Sequence, residues 1–294
     1  MKKKTVNLTG KEIAEDKLVM KSKATKEKEK KEAIKKKNEA LLRKAEVSKK
    51  TKEVEKKDKK EIVKKEKKLS YKLSIGMEDL FKAGCHLGHS KSKTNPKARE
   101  NIYTTKNKVE IFDLAKTVKA LEEAGAYLKG VVKRGEKVIF VGTKRQAREV
   151  VKRMAMEVNM PYVTDRWLGG TMTNWEQIKK NITRLASLKE GIKGDAFQQK
   201  TKKEQSVIRK EITRLERIVG GLVSLEKIPE AIFVVDVGTE KTAVREAKRL
   251  GVKVIGICDS DTDPAFVDIA IPANDDNVKS ITIIVEEIIK AIKD

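Results

Sequence analysis

The feature that most constrains this chain is a set of short apolar runs with no polar residue in alternation. Val138-Ile-Phe-Val-Gly, Ala231-Ile-Phe-Val-Val-Asp, Val252-Lys-Val-Ile-Gly-Ile-Cys and Val267-Asp-Ile-Ala-Ile are the clearest. A strand covered on only one face alternates apolar with polar; a run apolar at nearly every position is covered on both. Between these runs lie segments of helical periodicity: residues 115–129, with Val118, Leu121, Ala124 and Leu128 on one face, then residues 144–158, 239–250 and 277–292. Asn274-Asp-Asp is read as the cap of the last, and Gly130 and Gly135 as brackets of a basic turn after the first. Val109-Glu-Ile-Phe-Asp-Leu and Pro161-Tyr-Val-Thr read as two further short strands. Strand and helix in alternation give a parallel sheet with helices on both faces. Right-handed crossovers make that an α/β, doubly wound, mostly parallel sheet of flavodoxin or Rossmann type.

One stretch departs from this rhythm. Thr173-Asn-Trp-Glu176 has the spacing of a capping box, and Trp175, Ile178, Ile182, Leu185 and Leu188 then recur at three and four. Thr201-Lys-Lys-Glu204 repeats the signal ahead of Ile208, Ile212, Leu215, Val219 and Leu222, with Gly220-Gly221 as the stop. Two amphipathic helices joined through Gly191 and Gly194 predict an antiparallel, coiled-coil-like hairpin projecting from the sheet. The expected organisation is an α/β core at 71–173 plus 229–294, a helical hairpin insertion at 174–228, and an N-terminal extension at 1–70.

Charge separates the extension from the rest. The chain has a formal net charge of +24; residues 1–70 contribute +14 of it and residues 71–294 contribute +10. The first 70 residues hold no aromatic, no proline and one glycine, Gly10, while all twelve aromatics lie from Tyr71 onward. Apolar residues recur there about once per two turns, too few for a core-facing helix. That composition reads as disordered or fractionally helical, either a polyanion-binding arm or a solvated tail. Such a positive charge favours a polyanion as partner, nucleic acid before membrane. No apolar run reaches the length of a membrane span, and the basic start lacks the apolar stretch of a secretory signal. Two cysteines make no disulfide framework, so a reducing, cytoplasmic setting is expected.

In an open parallel sheet, ligands bind beyond the carboxyl ends of the strands. The segments that gather there are Gly142-Thr-Lys-Arg-Gln, Asp165-Arg-Trp-Leu-Gly-Gly, Asp236-Val-Gly-Thr-Glu and Asp259-Ser-Asp-Thr-Asp-Pro. The first opens a helix, so its amides with Lys144 and Arg145 could hold a phosphate. It lacks the P-loop spacing, and no G-x-G-x-x-G occurs. The Asp259 segment begins like a calcium loop, but Pro264 and Ala270 stand where the turn glycine and the bidentate glutamate belong. Its aspartates read as turn and cap residues rather than a magnesium site. Cys85, His86, His89 and Cys258 are the only Cys and His residues. Four is the number a structural zinc needs, yet adjacent Cys85 and His86 would both have to face one ion. No catalytic triad, cofactor or metal is expected.

The candidate RNA contacts are cationic. Lys91, Lys93, Lys97 and Arg99 lie in a segment with no apolar side chain longer than alanine, which reads as a solvated loop or one lying on phosphates. Lys144, Arg145 and Arg166 stand at the strand ends, and Lys179, Lys180 and Arg184 on the first hairpin helix. These three share the hairpin's polar faces with Lys202, Lys203, Arg209, Lys210, Arg214 and Arg217, which read as a solvated coiled-coil face or as contacts to RNA backbone. Trp167 and Trp175 flank Gly169-Gly170, either stacking on bases or packing as a hinge between sheet and hairpin.

These segments together carry a resemblance. Ala83-Gly-Cys-His-Leu-Gly-His89 followed by Asn95-Pro-Lys, Phe140-Val-Gly-Thr-Lys-Arg145, Arg166-Trp-Leu-Gly-Gly170 with Thr173-Asn-Trp175, Pro229-Glu-Ala-Ile-Phe-Val-Val-Asp236, Asp261-Thr-Asp-Pro264 and Ile271-Pro-Ala-Asn-Asp-Asp276 resemble the family of protein two of the small ribosomal subunit, bacterial type. They run in the family's order from about residue 75 to 292. The resemblance implies a doubly wound α/β domain with a protruding helical hairpin. It also implies a structural, non-catalytic protein in the cytoplasmic ribosome, on the solvent side of the small subunit. Its partners would be small-subunit ribosomal RNA and neighbouring proteins, small-subunit protein one among them. It says nothing of residues 1–70.

Overall fold

A computed structural model of the chain describes residues 71–294. The expectations for residues 1–70 lie outside the described residues. In chain order come α1 (Met77–Lys82), β1 (Leu87–Ser90), a 3-10 turn (Pro96–Asn101), β2 (Ile102–Lys106), β3 (Val109–Phe112), α2 (Leu114–Lys133), β4 (Val138–Val141), α3 (Arg148–Glu157) and β5 (Tyr162–Val163). Then follow α4 (Trp175–Lys193), one helical turn (Asp195–Gln198), α5 (Lys202–Val219), β6 (Ala231–Val235), α6 (Lys241–Leu250), β7 (Lys253–Cys258), β8 (Ile269–Pro272) and α7 (Val278–Lys293).

The apolar runs form one five-stranded, wholly parallel sheet in the order β5-β4-β6-β7-β8. β4 and β6 are in register with Phe140 opposite Phe233, their rings 5.5 Å apart. Strand alternation divides the core in two. Val138, Phe140, Phe233, Ile255 and Ile257 face a cluster with α2, α3 and α7. Ile139, Val141, Ile232, Val234 and Val254 face a second, formed with α6 and the hairpin root. Gly256 belongs to the second face, where a Cβ would stand 2.3 Å from Val237 Cγ2, so this strand closes against its neighbour only with glycine.

Several local expectations are corrected. Val109–Phe112 is not part of the parallel sheet; it is the centre of a separate antiparallel sheet, β1-β3-β2. β2 and β3 join through Asn107-Lys108, both at positive φ (51° and 64°), as a type I′ hairpin turn requires. Helix α2 runs through Gly130 to Lys133, and the chain turns at Gly135 instead, at φ +76°. Helix α3 begins at Arg148 rather than 144, and the cap of α7 is Asn277, whose side chain accepts from Lys279 N. Ala98, in the segment read as wholly solvated, is buried.

The hairpin consists of α4 and α5. Its second capping box forms, with Thr201 Oγ1 accepting from Glu204 N. The first does not: Asn174 caps α4 without a side-chain hydrogen bond, because Thr173 donates through both its amide and its hydroxyl to Glu246. Ile178, Leu185, Ile212 and Leu215 are buried in the seam. The root is not separate from the sheet. Val219, Leu222 and Leu225 lie in the same cluster as Ile139 and Val141, and a Cβ on Gly221 would fall 2.1 Å from Tyr162 O, so the end of the hairpin rests directly on the edge strand β5.

Candidate nucleic-acid interface

The sheet reverses its winding between β4 and β6, so their carboxyl ends flank the crevice where such folds hold ligands. Here the chain's own side chains fill it. Thr143 Oγ1 donates to Glu240 across the gap. Lys144 Nζ, which sequence reading assigns to phosphate, turns inward to Asp275 and Asp276 (2.6 Å each) and Asp236 (3.3 Å). His89, from β1, places Nδ1 3.0 Å from Asp259 and Nε2 3.3 Å from Asp276. The segment after β1 closes over the top, Asn95 N donating to Ser260 O, and Asn274 N, after β8, donates to Cys85 O just ahead of β1.

The electrostatics follow from four aspartates around two cations. Burial pulls the Lys144 pKa down, but the Asp275 and Asp276 carboxylates and the Asp236 charge outweigh it and hold the ammonium charged well above the usual lysine range. His89 is raised to about 9, chiefly by the Asp259 carboxylate, and so is protonated at neutral pH. Asp275 is pushed up to about 7 by burial and by the charges of Asp236 and Asp259, against the pull of Lys144. Two cations do not neutralise four carboxylates, and the buried Asp275 takes the strain. Asp276, hydrogen-bonded to Lys144, is lowered. The network joins β1 to the loops after β4, β6, β7 and β8. Its chemistry is that of a clasp.

The aspartates of 259–263 serve as turn and cap residues. Asp259 is buried and accepts from Ser260 N and Oγ; Asp263 accepts from Ala265 N and pairs with Lys97 at 2.7 Å. The four Cys and His residues are not gathered. Cys85 lies in the core on one face of the sheet and Cys258 in the core on the other. Burial pushes both thiols up, away from the thiolate a metal binds. His86 stacks on Phe81, ring centroids 4.1 Å apart.

The remaining predicted cations are exposed, in more than one place. Lys91, Lys93, Lys97 and Arg99 follow β1. Arg145 points outward beside the buried clasp, and Lys179, Lys180 and Arg184 lie along α4, with Arg184 paired to Glu211 of α5 at 2.7 Å. Arg166 is exposed on the loop ahead of the hairpin. Glu246 of α6, a residue that sequence reasoning missed, holds that loop. Its buried carboxylate accepts from the amides of Gly170 (2.7 Å), Met172 (3.1 Å) and Thr173 (3.3 Å) and from Trp167 Nε1 (3.3 Å). Burial raises its pKa, but these donors outweigh burial and leave it lowered. The signal was present: Glu246 falls on the apolar face of its helix, with Ala243 and Ala247. Trp167 is therefore a hinge residue, buried and hydrogen-bonded, and Trp175 is half-buried at the start of α4.

A parallel sheet with its ligand crevice clasped shut, and with cations displayed on a loop and a helical hairpin, defines a doubly wound α/β protein. The comparisons with known proteins make this particular. The family model described as "Ribosomal protein S2" matches residues 80–294, and the chain belongs to that family. It is similar to the small ribosomal subunit protein uS2 of Cytophaga hutchinsonii, 45% identical over 228 residues, covering 78% of this chain and 87% of that one. The proteins of the same name from Psychrobacter sp. and Microcystis aeruginosa are 43% and 39% identical, each over 74% of this chain and 82% of theirs.

Proposed function

We propose that this chain acts without catalysis, as a structural constituent of the small ribosomal subunit that binds its RNA and neighbouring proteins. Membership of the S2 family supports the role. The observation that carries the absence of catalysis is the clasp: Lys144 and Glu240, which would serve a nucleotide or phosphate in this crevice, are engaged by Asp236, Asp275, Asp276 and Thr143. RNA contact rests on the exposed cations Lys91, Lys93, Lys97, Arg99, Arg145, Arg166, Lys179, Lys180 and Arg184. Lys144 is a clasp residue in this reading. Among neighbouring proteins we place small-subunit protein one, on the strength of the family resemblance.

Titration of free protein with small-subunit RNA at varied salt tests the reading. If about five phosphates are neutralised, log affinity falls against log salt with a slope of about −3.5 to −4.5. A slope near zero overturns the electrostatic account, and stoichiometric nucleotide binding by the free protein overturns the non-catalytic one. In the same titration, removing residues 1–70, with their charge of +14, flattens the slope and weakens specific and unrelated RNA by similar factors. Lost discrimination would instead make the extension a sequence reader.

A further inference from the structure

The charges of the hairpin are not shared evenly between its helices. All three carboxylates of α5 are committed. Glu204 closes the capping box with Thr201. Glu211 pairs with Arg184 of α4 at 2.7 Å and Glu216 with Lys189 of α4 at 2.6 Å. Glu211 and Glu216 thus face α4 and neutralise cations there. Four cations of α5 are left together on its outer side: Lys202, Lys210, Arg214 and Arg217 are exposed and, among the described residues, no ion pair engages them. Arg209 lies over the Phe197 ring, 5.7 Å from its centroid, and so is braced on the same side.

Along this side runs a shallow, open groove of about 970 Å³, lined almost wholly by α5 through Lys202, Arg209, Lys210, Arg214 and Arg217, with Asp165 the one acid at its root. It is continuous, through Asp165, Thr213, Arg217 and Ile218, with a depression of about 240 Å³ at the sheet edge, where Lys152 and Tyr162 join the lining. From Lys202 to Arg217 the helix rises about 22 Å, and Lys210, Arg214 and Arg217 follow one another at successive turns of about 5.4 Å. A line of unneutralised cations along one face of a helix fits a chain of evenly spaced anions. It does not fit a compact ligand, which would need them converging.

We propose that the α5 groove is a seat for a stretch of RNA phosphodiester backbone, running from the far end of the hairpin to the edge of the sheet at β5. This rests on the RNA-binding reading above and deepens it by placing the principal hairpin contact on α5. The α4 face carrying Lys179, Lys180 and Arg184 is then the lesser one, Arg184 being already paired. Neutral donors in the groove, such as Ser206, suit phosphate oxygens, and no aromatic face is offered for bases except Tyr162 at the end. Binding there is predicted to be insensitive to sequence.

The test compares three variants of the full chain: K210Q/R214Q/R217Q on α5, K179Q/K180Q/R184Q on α4, and K91Q/K93Q/R99Q after β1. Glutamine keeps helix propensity and the positions are exposed, so each variant folds, which circular dichroism and thermal unfolding check. Binding to small-subunit RNA is measured from 0.05 to 1 M salt. Loss of three phosphate contacts flattens the log–log slope by about 2 to 3 and lowers affinity about a hundredfold near 0.15 M salt, with little loss at 1 M. We expect this of the α5 variant and a smaller effect of the α4 variant. An equal or greater loss in the α4 variant overturns the placement on α5. An unchanged α5 variant beside a weakened 91–99 variant also overturns it while leaving the RNA-binding reading intact, and would return the groove to a protein partner. Failure of the unaltered chain to bind the RNA at all refutes the underlying reading itself.

Discussion

Lys144 is where sequence and structure assign opposite duties to one side chain, and replacing it by methionine separates them. Methionine keeps the stem's volume and removes the charge. The ammonium stands 2.6 Å from Asp275 and from Asp276 and 3.3 Å from Asp236, and the side chain is 19% exposed. Breaking a fully buried pair by removing one partner costs about 3–5 kcal/mol. Asp276 is half exposed and regains water, so the expected cost of Lys144→Met is about 2–4 kcal/mol at pH 8. The sign with pH follows from the carboxylates. Without Lys144 the folded-state pKa of Asp275, already pushed up to about 7, rises further above the unfolded value, so the variant binds a proton on folding. Its deficit is therefore greatest where all are ionised and shrinks as pH falls through about 7 and below, starting with Asp275. Urea unfolding at pH 8 and pH 5 reads this directly, with the deficit at pH 5 no more than about half that at pH 8. An equal deficit at both would mean that Lys144 contributes packing and that the charge argument is wrong. A variant as stable as the parent but with a flatter salt slope for RNA would return Lys144 to the phosphates.

Two further outcomes are expected. Leu215→Ala, at a buried position of the hairpin seam, destabilises by about 2–4 kcal/mol in urea unfolding, and a cost below about 1 kcal/mol would show the seam to be loosely packed. His89 has a folded pKa of about 9 against an ordinary value near 6.5, so its pairing stabilises fully below about pH 6.5 and is lost as pH rises through 9. The melting temperatures of the parent and of His89→Gln should thus lie furthest apart near pH 6 and converge by about pH 10; a constant gap refutes the ion-pair account.

The parallel sheet was legible in the sequence because its strands are buried on both faces, which leaves apolar runs that nothing else in a polar chain produces. The hairpin was legible for the complementary reason: a narrow apolar seam repeating at three and four. The small antiparallel sheet was not, since β2 is exposed at four of its five positions and so carries no pattern of burial. Nor was the direction in which Lys144 points. A lysine beside a strand end reads the same whether it faces solvent or acids, and the acids here come from β6 and from the segment after β8, about 90 and 130 residues away in the chain. The failed capping box at Thr173 has a similar cause. A local partner three residues ahead lost to a buried carboxylate 73 residues away that already held the neighbouring amides. The cationic residues could be enumerated from sequence, but which of them stay free depends on cross-helix pairing, which engages Arg184 and Lys189 of α4.

The contact between Gly221 and Tyr162 has a consequence for the protein before it is assembled into anything. A parallel sheet of five strands has two open margins, and each offers unpaired amides and carbonyls to any other chain in an extended state. At the β5 margin the strand is two residues long, and the Gly220–Leu222 turn lies against it, so close that only a glycine fits. At the β8 margin the strand ends in Pro272, which has no amide to offer. The β5 side cannot be extended by a second molecule without first undoing native structure, and the β8 side offers one amide fewer. The chain thus limits edge-to-edge pairing of its sheet with another copy before it is assembled.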